Sequence, residues 1–220
     1  MAAETVTALP SLRFRLPGTW AQIPLHDAQE ARDAVKKLVA RQLGSTDEAA
    51  TAREQLRRQF TEALKDAIAG EAQSMQIALE IIDGLPTPAS FTVFLPTQQI
   101  TPAIGTSPGA VMEVLEQGIA VRPELQDSVL KFATAESEVL RTYRYELVTV
   151  DEQAEPMKVL LVDYWMTVPD TKRFVLVSFH TALADAATEM MTLFDAIVAA
   201  SYWRHPASET SEATESASPE

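Results

Sequence analysis

The chain has no cysteine among its 220 residues. That absence excludes disulfide frameworks, thiolate metal sites, CxxC redox chemistry and a cysteine nucleophile together. It fits a reducing compartment, and the expectation is a bacterial, cytoplasmic protein. Glycine is scarce as well. The seven glycines are scattered, so no Gly-rich loop can cradle a phosphate. The three histidines, His26, His180 and His205, stand far apart in the chain. They make no HExxH or HxH pattern, and with no cysteine beside them zinc is not expected. No other cofactor is expected either.

Positive charge is also in short supply. Lys and Arg number 18 against 31 Asp and Glu, for a net charge of −13. Nucleic acid and anionic membranes both select basic surfaces, so neither is an expected partner. Arg53, Arg57 and Arg58 come closest to a basic patch, but Glu54 and Glu62 lie among them and the stretch reads as a mixed solvated face. No apolar run reaches the ~20 residues that a membrane-spanning helix needs. The opening MAAETVTALPSLRFRLPG has neither a basic n-region nor an adequate apolar h-region, so no secretory signal is expected.

What is present is a core. With 46% hydrophobic residues, the chain can bury enough surface for one domain over 11–205. Residues 1–10 read as flexible. The stretch 206–220 holds four glutamates, no base and no large apolar residue, and reads as a disordered acidic tail.

Leu12, Phe14 and Leu16 alternate as a strand, Pro17-Gly18 turns the chain, and Ala21 to Leu25 reads as a short edge strand. Asp27 with Glu30 makes a capping box for a helix running to Leu43, with Gly44 as its stop. Ser45 with Glu48 opens a second helix to about Ile68, whose stripe is Leu56, Phe60, Leu64 and Ile68. Residues 27–69 thus form a helical hairpin insert. From Ser74 the period becomes two. Met75, Ile77, Leu79 and Ile81 share a face, Asp83-Gly84 marks a turn, and Phe91 to Leu95 is the next strand. Ser107 with Pro108 starts a short helix. Strands follow over 128–133, 139–150, 158–168 and 173–181, the last two joined by a hairpin at 169–172. A helix over 183–202 closes the fold. Val159 to Val162 and Phe174 to Val177 are apolar on both faces, which calls for cover on both sides. The predicted class is α+β, an antiparallel sheet with helices on both faces in a three-layer α/β/α sandwich.

Phe14-Arg15-Leu16-Pro17-Gly18-Thr19-Trp20 resembles the strand, Pro/Gly turn, Trp opening of PsbP-like proteins. The closing Leu193-Phe194-Asp195-Ala196-Ile197, followed by Ser201-Tyr202-Trp203, is similar to that family's apolar helix and Ser-aromatic ending. The resemblance implies an α/β/α sandwich. It carries over no catalytic residue, because members of the family mostly serve in binding or assembly. It therefore favours an adaptor with a protein partner over an enzyme. The order of elements also resembles helix-grip, START-like ligand binders, which implies as an alternative a carrier with a cavity for an apolar small molecule.

Two constellations carry polar chemistry. Ser178 and His180 share a strand face, but their backbones are ~7 Å apart, so the reading is structural, with His180 bonding nearby backbone or Asp185. Asp163 interrupts an apolar strand and needs a partner. Arg141 and Arg144 on the preceding strand are the candidates for a structural ion pair. Tyr143, Tyr145 and Trp165 make a possible interaction surface on one face of the same strand pair.

Overall fold

The computed structural model describes residues 9–25, 27–43, 50–82, 85–96, 105–122, 125, 128–148 and 156–205. The expectations for residues 1–8, His26, Gly44, the Ser45–Glu48 capping box, the Asp83-Gly84 turn and the acidic tail 206–220 lie outside the described residues.

Among the described residues, ten strands and four helices follow in the order β1 (Ser11–Arg13), β2 (Thr19–Ile23), α1 (Ala28–Leu43), α2 (Ala50–Ala69), β3 (Ser74–Ile82), β4 (Leu85–Pro86), β5 (Ala89–Phe94), α3 (Pro108–Ala120), β6 (Leu130–Ala133), β7 (Glu138–Val148), β8 (Met157–Thr167), β9 (Phe174–Thr181), α4 (Ala187–Ala199) and β10 (Tyr202–Arg204). The main sheet runs β2-β3-β5-β9-β8-β7-β6, every pairing antiparallel, with β4 pairing on β3. A two-stranded sheet joins β1 to β10.

Local chemistry explains most of these boundaries. Asp27 Oδ1 accepts from the backbone N–H of both Gln29 and Glu30 at 2.7 Å, which starts α1 where the capping pattern placed it. Ala31, Val35, Leu38 and Val39 form its buried face. In α2, Phe60, Ala63, Leu64 and Ala67 are buried, whereas Ile68 at the end of the expected stripe is exposed. Four-residue steps drift around a 3.6-residue helix, so the stripe rotates off the core by its last member. Gly18 sits at φ +69°, and a β-carbon there would stand 2.1 Å from the Glu80 carbonyl oxygen. Only glycine fits that turn, which Trp20 Nε1 closes by donating to Pro17 O at 2.8 Å. Ser107 stands at the N-cap of α3 with extended backbone, but its hydroxyl makes no capping bond.

The C-terminal helix departs from expectation. It begins with a 3₁₀ turn at Ala184–Ala186 and stops at Ala199, because residues 202–204 pair with β1 instead. Trp203, opposite Leu12, is buried there, and its Nε1 donates to Ser137 Oγ at 2.8 Å. The aromatic ending is thus a strand that seals the margin of the core.

The register sorts side chains by face. One transverse row is Met75, Thr92, Ser178, Asp163 and Thr142; the adjacent row is Gln76, Phe91, Phe179, Val162 and Tyr143. Successive residues point to opposite faces, so these rows belong to different faces. On the second, α4 packs through Phe194, which stacks on Phe179 with ring centroids 4.4 Å apart. On the first, α1 and α2 cover Met75 and Ile77, and α3 covers Leu140 and Trp165. The doubly apolar strand β8 is buried on both faces, and Val159 to Val162 are all at or below 4% exposure. Among the described residues no helix is long and apolar enough to cross a membrane.

Candidate functional site

Between the ground covered by α1–α2 and that covered by α3, the first face carries polar residues in the middle of the sheet. Ser178 Oγ donates to Asp163 Oδ1 at 2.5 Å, and Asp163 Oδ2 accepts from Arg144 Nη1 at 2.7 Å. Arg144 Nε also reaches Glu146 Oε1 at 3.1 Å. His180 Nε2 lies 3.2 Å from Ser178 Oγ. The sequence expectation that Ser178 and His180 stay apart is corrected here. The backbone spacing of i and i+2 holds, but both side chains lean over the same face and the imidazole spans the gap. His180 is half-buried and bonds Ser178, not Asp185.

Proton positions decide what this group can do. A serine hydroxyl has one hydrogen, and the 2.5 Å contact commits it to Asp163. With that hydrogen on Asp163, the 3.2 Å contact is a hydrogen bond only in the Nε2–H tautomer of His180. A serine–histidine nucleophile needs the reverse, with the imidazole accepting the serine proton. In that tautomer the chain of donation runs from His180 to Ser178 to Asp163, with Arg144 donating to Asp163 from the other side. Burial lowers the His180 pKa, opposed by Asp163, Asp66 and Glu146 and assisted by Arg144. The ring is thus neutral at pH 7. Burial also works against the Arg144 charge, but Asp163 and then Glu146 outweigh it and raise its pKa. The arrangement is a closed ion pair with a hydrogen-bonded tail. Two buried hydroxyls on the same face, Ser90 Oγ and Thr142 Oγ1, have no partner among the described residues.

Arg141 does not join this group, a correction to the expected ion pair. It lies three positions from Arg144 and so on the opposite face. There its Nη1 donates to Asp195 Oδ2 of α4 at 2.6 Å, while the Tyr164 hydroxyl donates to Asp195 Oδ1 at 2.8 Å. Burial, then Asp195, push the Tyr164 phenol far above its usual range. Asp195 is a residue the sequence reading passed over. Its helix reads as an apolar stripe, and nothing local marks the one carboxylate that meets a strand 54 residues away.

The aromatic surface is also divided. Trp165 pairs across from Leu140 and packs under α3, whereas Tyr143 and Tyr145 belong to the other face. Those two tyrosines meet edge to face at 6.1 Å. Tyr145 is 42% exposed beneath Lys158, whose Nζ stands 3.9 Å from the ring centre, and Leu147 is 71% exposed. Strand β6 pairs with β7 only as far as Arg141; beyond it Tyr143 N donates to Ser128 Oγ at 3.2 Å. From Tyr145 onward, β7 has no strand on its outer side among the described residues. This border of the sheet combines bare backbone with exposed Val129, Leu130, Tyr145 and Leu147.

No protein-family model and no curated protein matches the chain. Among solved structures, LpqN of Mycobacterium tuberculosis, described as involved in cell envelope biogenesis, is similar over 92% of this chain and 87% of the other, with 10% identity and a TM-score of 0.45.

Proposed function

We propose that the protein is a non-enzymatic binding or assembly protein built on a PsbP-like sandwich, and that it engages a protein partner along the β6–β7 border. The observation that carries this reading is the run of β7 past the end of β6, which leaves Tyr145 and Leu147 exposed where, among the described residues, no strand pairs with the outer side of β7. Exposed strand edges are the usual template for pairing with another chain, and natural sheets cover or charge them unless they are used. The polar group at Asp163 supports the same reading, since its carboxylate is spent on Ser178 and Arg144 and the Ser178 hydrogen on Asp163. The helix-grip alternative has less support, because α4 stacks directly on the sheet at Phe179–Phe194, where such a cavity would lie.

The test is site-specific photocrosslinking in cells that make the protein. A crosslinker at Leu147 is expected to yield a discrete protein adduct, lost on Tyr145→Asp, while one at exposed Arg32 on α1 yields none. Adducts of equal yield from both positions, or no adduct at Leu147, would overturn the border as the binding surface.

A further inference from the structure

Next to that border lies an open groove of ≈ 430 Å³ between α3 and the sheet edge, lined by Gly109, Met112, Glu113 and Glu116 of α3 and by Phe132 and Glu138 of the sheet. The four α3 residues follow a helical i, i+3, i+4, i+7 spacing and share one side of the helix. Strand β6 is the last of its sheet, so its outer edge has no strand beside it among the described residues.

The backbone directions along that edge follow from the ladder. In an antiparallel pair each residue sends its N–H and C=O to the same side, and successive residues alternate. Tyr143 N–H reaches Ser128 on the β6 side, so Arg141 and Val139 face that side too. Their partners Leu130 and Phe132 face back toward β7. Lys131 and Ala133 are therefore the residues of β6 whose backbone groups point outward, along the groove. A short edge strand with a lysine is also how sheets repel unwanted pairing. Here, however, the Lys131 ammonium is drawn toward α3 by an ion pair with Glu116. Three glutamates, Glu113, Glu116 and Glu138, line the groove against that one lysine.

We propose that this groove takes an extended peptide segment of a partner protein, added as a strand antiparallel or parallel to β6, with lysine or arginine at alternate positions. The backbone of Lys131 and Ala133 supplies the pairing. The carboxylates of Glu113 and Glu138 select the basic side chains, which stand two residues apart on one face of the added strand. Apolar residues on the opposite face of the segment meet Phe132, which packs on Tyr164 on the α4 side of the sheet. This names the class of partner for the border described above and rests on that reading.

Gly109 lines the groove and a β-carbon there meets nothing within 4 Å, so a side chain at this position starts in open space. The experiment is selection of a random peptide library on the full-length chain, with Kd values then measured for the enriched peptides. Enrichment of Lys or Arg at alternate positions is expected. Binding should fall about tenfold or more for Gly109→Trp and for Glu113→Lys, each with an unchanged melting temperature. N-methylation of one alternating set of peptide amides should abolish binding, while methylation of the other set leaves it intact. Enriched peptides without basic residues, equal Kd for Gly109→Trp, indifference to N-methylation, or no enriched peptide would each overturn the proposal. If the Leu147 crosslink forms while Gly109→Trp changes neither it nor peptide binding, the groove assignment falls and the border reading stands.

Discussion

Arg141 and Arg144 stand three residues apart on one strand, and the protein uses them on opposite faces. Arg141, its side chain 13% exposed, is bound by Asp195 of α4 and shares that carboxylate with Tyr164. Arg144, 39% exposed, is bound by Asp163 of the neighbouring strand and reaches out to Glu146. The first pair fastens a helix to the sheet. The second stays within the sheet and leads through Ser178 to His180. Removing one partner of a buried pair strands a charge that cannot regain its water, whereas an exposed partner can turn outward. The two clusters should therefore respond very differently to the same kind of change.

Asp195→Ala gives the largest expected effect. It leaves the Arg141 guanidinium and the Tyr164 hydroxyl without their shared acceptor and unfastens α4. A loss of about 3 kcal/mol is expected, the low end of the range for broken buried pairs because Asp195 itself is 30% exposed. Urea unfolding with an unchanged m-value would measure it. A loss no greater than that from the Arg144 side would erase the distinction between the two faces.

Asp163→Asn comes second. The amide oxygen still accepts from Ser178, and Arg144 keeps Glu146 and solvent. The expected loss is about 1.5–2 kcal/mol, the low end for one hydrogen bond between charged groups. The comparison is sharpened by the double variant Asp163→Asn with Arg144→Gln. It should cost little more than the single change, since both ends of one interaction are then gone. Unchanged stability in Asp163→Asn together with loss of the Leu147 crosslink would make Asp163 part of the binding surface.

The same comparison shows what the sequence could reveal. Periodicity and caps are local, and α1 with its Asp27 cap, the two-residue alternation of β3 as far as Leu79 and the β8–β9 hairpin are all legible, whereas Ile81, next to a register shift, packs with the α4 core instead. The different faces of Arg141 and Arg144 follow from counting by two. Assigning both to Asp163 overlooked that count. Placing Trp165 away from Tyr143 needed the β7–β8 register as well, which is fixed across a connection rather than within a strand. The order β5-β9-β8, the three residues of β10 and the meeting of Asp195 with Arg141 arise only when distant segments pack. No property of those segments alone announces them. The bond between Ser178 and His180 escapes sequence reasoning for a simpler reason, because backbone separation does not fix side-chain separation.

The smallest effect expected is a change in pH dependence, and it isolates the interior end of the second cluster. Burial lowers the His180 pKa in the folded protein below its unfolded value of about 6.5. As pH falls through 6.5 the unfolded chain takes up a proton that the folded chain resists, so folding stability declines with acidification. The contribution is fully retained above the unfolded pKa and is lost between there and the lowered folded value. His180→Gln keeps a side-chain donor for Ser178 but cannot titrate. Melting temperatures from pH 8 to pH 5 should therefore fall more steeply for the native chain than for the variant, with the two curves converging in shape above pH 7. The groups facing the ring pull in both directions: Asp163, Asp66 and Glu146 favour the imidazolium, while Arg144 opposes it. A native chain that gains stability over the variant on acidification would mean that these carboxylates outweigh burial. His180 would then be a charged member of the Asp163 cluster and not its neutral end.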